Sequence, residues 1–139
     1  MRELATVVLH HVMRGGSHFD WMLSDPSHGG DAAAGWLRAY RVSCEPRHWA
    51  EAGVLMLTAL PAHRGVYLGY EGAISGGRGR VRRAASGTYV SRLWTEGRCV
   101  VDLQLCGQET CWELARVCEP TWRARRLASG GRGGMLRGT

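Results

Sequence analysis

The residues best suited to chemistry stand near the start of the chain: His11, then His18 and Asp20, with Arg14-Gly15-Gly16-Ser17 between them. A run of apolar residues (Ala5, Val7, Val8, Leu9) leads into His10 and His11, and Trp21, Met22 and Leu23 follow Asp20. Both stretches read as strands, and the glycine-containing segment reads as the turn that joins them. Side chains two apart on a strand share a face, so His18 and Asp20 point one way while Phe19 and Trp21 point the other. The turn carries His11 back beside them, with His10 as the alternative partner. Two imidazoles and one carboxylate suit a borderline divalent ion such as Mn²⁺ or Zn²⁺, with positions left for water or substrate. A histidine on a strand is more often simply hydrogen-bonded. It is the histidine across the tight turn that makes the His-x-Asp pair a candidate metal site.

A second segment, from Leu60 to Gly72, carries His63 at a strand boundary behind Pro61, with Tyr67 following. Ile74-Ser75-Gly76-Gly77-Arg78-Gly79-Arg80-Val81-Arg82 comes next. Glycines let a backbone approach a ligand closely, and guanidinium forks match phosphate oxygens. The period-two spacing of Arg78, Arg80 and Arg82 predicts three guanidiniums on one strand face. The plainer reading of the same residues is a glycine-rich hairpin with a solvated arginine face. His28, in a polar loop over residues 24–31, reads as solvated, and His48, in the connection over 43–53, reads as structural.

All eighteen basic residues are arginine. The absence of lysine excludes Schiff-base chemistry, lysyl-adenylate ligase chemistry and a Walker-type phosphate loop, each of which needs an amine. The net charge is +6, but residues 121–139 hold five arginines and no acid, leaving thirteen arginines against twelve acids elsewhere. Whole-chain basicity is therefore weak evidence for nucleic acid, and local placement must carry that argument. Five cysteines, odd in number and without CxxC spacing, and an N-terminus unlike a signal peptide predict a reduced, cytoplasmic protein. No apolar run is long enough for a membrane span.

To position these residues the chain offers short strands punctuated by Gly, Pro, Ser and Asp, which predicts an all-β fold: a compact barrel of about eight mostly antiparallel strands with a polar groove. Strands are expected near residues 4–11, 17–23, 35–42, 54–60, 65–70, 79–83, 87–94, 98–105 and 110–117. One domain, residues 1–119, fits the length. Residues 120–139, dominated by Arg and Gly, are expected to be a flexible tail that cannot bury enough surface to order itself.

Taken in order, the motifs are a histidine, His-Phe-Asp (18–20), Gly35-Trp36, His63-Arg-x-x-Tyr67-x-x-Tyr70-Glu-Gly72, Ile74-Ser-Gly-Gly-Arg-Gly-x-Val81 and Gly87-Thr-Tyr89. Together they resemble the 3′-phosphoesterase module of bacterial DNA ligase D in its small free-standing form, over residues 5–117. The resemblance implies a monomeric barrel that uses a divalent metal, typically Mn²⁺ with Zn²⁺ or Co²⁺ as alternatives. It implies removal of a 3′-terminal ribonucleoside or 3′-phosphate from DNA or RNA–DNA ends, leaving a 3′-hydroxyl for a separate polymerase or ligase. It also implies that His11, His18 and Asp20 hold the metal, that His63 faces the scissile phosphate, and that Tyr67 lies close to it. The family usually has one residue fewer between its first two histidines, and an extra glycine in the turn accounts for the difference. Fused members often carry arginine where this chain has Met22, which leaves Arg64, Arg78 or Arg80 to take that part, with Arg82 beside them. A catalytically degenerate module that holds nucleic-acid ends or a metal is the alternative reading. A structural barrel whose Arg-rich tail binds RNA or a partner is a third.

Overall fold

Alternating apolar residues dictate most of the architecture. The computed structural model describes residues 2–27 and 35–128. The expected loop position of His28, and residues 129–139 of the expected tail, lie outside that range. The strands are β1 (Leu4–Met13), β2 (Gly16–Ser24), β3 (Trp36–Val42), β4 (Val54–Arg64), β5 (Gly72–Ala73), β6 (Arg80–Trp94), β7 (Arg98–Leu105), β8 (Gln108–Cys118) and β9 (Thr121–Leu127). A 3₁₀ turn (Pro46–His48) leads into one short helix, α1 (Trp49–Ala52), and a second 3₁₀ turn spans Gly65–Leu68. The hydrogen-bonded order β1-β2-β3-β4-β9-β8-β7-β6 returns to β1, so eight antiparallel strands close into a barrel and β5 pairs outside, on β6. The expected all-β barrel is what the chain forms.

Closure lets each strand bury one face inside. Val8, Trp21, Tyr40, Leu57, Tyr89, Val101, Leu114 and Trp122 come from eight different strands and meet in one core. The indoles are big apolar fillers with one donor each, and each buried donor finds an acceptor. Trp21 donates to Thr6 Oγ1 at 3.0 Å, Trp112 to Thr110 Oγ1 at 2.8 Å and Trp49 to the Cys44 carbonyl at 2.9 Å. The alternate residues of β1, β2, β3 and β6 form a second cluster: Val7, Leu9, Met22, Leu37, Ala39 and Val81. These lie on the outer face of the barrel and are covered by Leu60 of β4 and by Tyr67, Leu68, Tyr70 and Ile74 from the excursion between β4 and β6.

Three expectations need correction. Residues 65–70 form no strand. Tyr67 and Leu68, adjacent in sequence, both pack on the outer cluster, which a helical turn permits and an alternating strand forbids. The separate strands expected at 79–83 and 87–94 are one strand, β6, bent by register shifts opposite Val8/Leu9 and at Ser91/Leu93. Such bulges bend a strand so that it can pair with β1 along its first part and β7 along its last.

The domain does not end at residue 119. Thr121–Leu127 is a barrel strand between β4 and β8, with Trp122 and Ala124 buried. Arg123 and Arg125 alternate outward, and Arg125 meets Glu113 at 3.0 Å. Its arginine-rich composition hid an ordinary half-buried strand. All five cysteines are free thiols, and among the described residues no helix is long and apolar enough to cross a membrane.

Candidate metal centre and its cavity

The β1–β2 hairpin sets the site by register. His11 lies directly opposite His18, and Leu9 opposite Asp20. Directly opposed residues of an antiparallel pair share a face, so all three polar side chains project from the outer face of the barrel. The closest approaches are His11 Nδ1 to Asp20 Oδ2 at 3.4 Å and His18 Nε2 to Asp20 Oδ1 at 3.0 Å. One ligand atom from each residue falls within 4.8 Å of the other two. His10 points to the opposite face of β1, stacked on Phe19 with ring centroids 4.7 Å apart. Of the two histidines left open by the sequence, His11 is the one the structure places beside His18 and Asp20.

Tautomers follow from the partners. His11 Nε2 lies 2.6 Å from the Arg78 carbonyl; a carbonyl only accepts, so Nε2 carries the proton and Nδ1 offers its lone pair toward Asp20. A backbone carbonyl orienting the far nitrogen of a ligating imidazole is the usual second layer of a metal site. His18 is only 7 % exposed and Asp20 only 4 %. Burial holds His18 below its ordinary value of 6.5, with Arg41 and His11 adding to the effect and Asp20 opposing it. Neutral imidazole is the ligating form. His18 Nε2 and Asp20 Oδ1 are buried without a hydrogen-bond partner, although they face each other at 3.0 Å. Orphaned buried polar atoms are costly. Two that converge with a third lone pair match what a divalent cation requires.

The cluster forms one wall of a cavity of about 410 Å³, and the end of β4 with the excursion after it forms the other. His63, at the end of β4 and opposite Leu37, lines that wall with Arg64 and Tyr67. Its Nδ1 lies 2.8 Å from the Pro61 carbonyl and so donates to it, which leaves Nε2 to exchange a proton. The His63 and Tyr67 rings meet edge-on at 5.7 Å. Arg78 also lines the cavity, its Nε donating to the Ser75 carbonyl at 2.7 Å.

The arginine face expected of Arg78, Arg80 and Arg82 divides. Arg80 and Arg82 sit on β6 opposite Val12 and His10, whereas Val81 between them lies opposite His11 and lines the metal cavity. The chain reaches Arg78 before β6 begins, so the period of two does not extend back to it. His48 is exposed and away from the cavity.

Sequence reasoning missed Arg41 and the part played by Trp36. Arg41 is opposite Asp20 across β2–β3, and Trp36, 59 % exposed, is opposite Arg64; both line the cavity. The signal for Arg41 was its period-two spacing from Leu37 and Ala39, readable only once the β2–β3 register is known. A smaller hollow of about 170 Å³ over β6–β8 contains the ion-paired Arg92 and Asp102 but no imidazole. Neither a family model nor a curated protein matches this chain.

Proposed function

We infer that this chain is a divalent-metal-dependent phosphoesterase that processes nucleic-acid 3′ ends, removing a terminal ribonucleoside or phosphate to leave a 3′-hydroxyl. The carrying observation is the convergence of His11, His18 and Asp20, with His18 Nε2 and Asp20 Oδ1 buried without a hydrogen-bond partner, in a cavity whose far wall holds His63. The donor set of two imidazoles and a carboxylate leaves coordination open and accepts Mn²⁺, Zn²⁺ or Co²⁺; the choice of Mn²⁺ among them rests on the resemblance to the ligase D phosphoesterase module. Such an ion would offset charge on a nonbridging phosphate oxygen and make water more acidic.

This chain's own side chains supply the rest. Arg41, Arg64 and Arg78 offer guanidiniums from three sides to the remaining phosphate oxygens. Arg41 reaches the cavity from β3 and takes the part of the arginine that Met22 replaces. His63, pinned through Nδ1–H and protonated at both nitrogens, gives its Nε2 proton to the leaving oxygen as a water oxygen bonds to phosphorus and the ester bond breaks, the water's proton passing to solvent. Tyr67 packs against the His63 ring and limits its rotation.

The test is a primer–template carrying one 3′-ribonucleotide, or a 3′-phosphate, incubated with Mn²⁺ or with chelator and followed by end analysis. A 3′-hydroxyl product that appears with Mn²⁺ and not with chelator supports the reading. Unaltered ends under both conditions contradict it. Met22 is buried in the outer cluster, and its lack of charge favours a second reading: a barrel that binds ends or a metal without hydrolysis. That reading expects saturable end binding without product.

A further inference from the structure

The metal cavity is not isolated. Val81 belongs both to it and to an adjoining hollow over Val12, Arg80 and Arg82. That hollow shares His10 and Arg82 with a third, about 440 Å³, at the end of the barrel beside Phe19, Arg47 and Arg83. The three share lining residues in succession, from the outer face past the tip of β1 and the start of β6 to the barrel mouth. Register explains the turn: His11 and Val81 face the cavity, while their neighbours His10 and Arg82, also directly opposed, face the mouth.

Charge along this track is positive. Arg80, Arg82 and Arg83 make no ion pair with their guanidiniums among the described residues. Its two acids are already engaged, since Glu45 pairs with Arg47 at 3.3 Å and Glu71 accepts the Arg83 backbone N–H at 2.7 Å. At the mouth, His10 and Phe19 oppose each other across β1–β2 and stack 20° from parallel. Both are half-buried, so the stack is neither swallowed by the core nor free in solvent. A basic groove leading to flat rings is how proteins hold unpaired nucleic acid without reading its sequence, the cations following the backbone and the rings meeting successive bases.

We propose that this track binds the single-stranded DNA leading to the terminus in the metal cavity, with the His10–Phe19 pair as a stacking platform and Arg80, Arg82 and Arg83 along the phosphates. The inference rests on the end-processing reading for the direction of the strand, but its test does not need turnover. Fluorescence anisotropy of a labelled oligothymidylate of about 12 nucleotides, within the span of one small-barrel site, is followed with the full-length chain in chelator. His10→Ala is expected to weaken binding about tenfold. Arg82→Ser is expected to weaken it and to reduce the slope of log affinity against log salt by about 0.7, the loss of one phosphate contact. Arg123→Ser, an exposed position on β9 that lines none of the three hollows, is expected to bind as the unaltered chain does. Phe19→Leu reports on the platform with apolar bulk retained, and His10→Ala and Arg82→Ser carry the test should it fold poorly. Binding by His10→Ala and Arg82→Ser equal to that of the unaltered chain at every salt concentration would overturn the proposal. So would equal affinity for a blunt duplex, whose bases cannot unstack onto the platform. If these losses appear while no end is hydrolysed, the track stands and the phosphoesterase reading falls; the reverse outcome separates them equally.

Discussion

At the scale of single residues, His63 and His18 have separable duties. His63 contacts none of the three ligand candidates by hydrogen bond or ion pair, and its Nδ1 is committed to Pro61. Loss of one preorganised donor toward developing charge typically costs about 10²- to 10³-fold in rate. His63→Ala is therefore expected to lose that much turnover while its Mn²⁺ affinity, followed by calorimetry, stays unchanged. Arg41→Gln should raise KM for the oligonucleotide end, again without loss of metal. His18 also makes a pH prediction. Because burial holds it below 6.5 in the folded chain, the unfolded chain takes up the proton more readily. Stability is then full above 6.5 and declines as pH falls through the range just beneath it. Glu113, held low by its hydrogen bond from Arg98, contributes its loss only below 4.5 and does not overlap. In chelator, the melting temperature of the unaltered chain should drop between about pH 7.5 and about pH 5.5, and that of His18→Gln should drop less. Equal drops in both proteins would remove the buried, neutral His18 from the account.

At the scale of elements, the β1–β2 hairpin and the turn before β6 depend on each other. Gly79 has φ +90, and a Cβ there would lie 2.2 Å from the Val12 carbonyl oxygen. Gly79→Ala must strain the backbone, at a cost of about 1–3 kcal/mol, and push the turn off β1. The carbonyl of Arg78 that orients His11 would move with it. The variant should show both a lower melting temperature and weaker Mn²⁺ binding, whereas Gly69→Ala, at φ −125 with open space around it, should spare the metal. The hairpin was legible in the sequence because a tight turn and strict alternation leave little choice of partner. Arg41 was not, since its place beside Asp20 depends on the β2–β3 register, which no local pattern specifies. Nor was the division of Arg78 from Arg80 and Arg82, because the strand that would have put them on one face begins only at Arg80.

At the scale of the whole molecule, closure depends on the strand that composition disguised. Arginine outnumbers every apolar type over residues 121–127, yet Trp122 and Ala124 fill the same core as Trp21 and Leu57. Composition averages over a segment, whereas burial follows alternation, and here the two disagree. Trp122→Ala should cost about 3–5 kcal/mol. Truncation after residue 119 should abolish a cooperative unfolding transition, since it opens the barrel between β4 and β8. Truncation after residue 128 keeps every described strand and should keep a cooperative transition. Persistence of cooperative melting in the shorter piece would place the barrel's closure elsewhere.

The central claim is that one cation joins His11, His18 and Asp20. Its most direct measurement is titration of the chelator-stripped chain with Mn²⁺, followed by electron paramagnetic resonance with detection of coupled imidazole nitrogen. The account expects one ion per chain with nitrogen coupling, both lost in His18→Ala and in Asp20→Asn and both kept in His10→Ala. Absence of saturable binding, or binding that survives both substitutions, would contradict it.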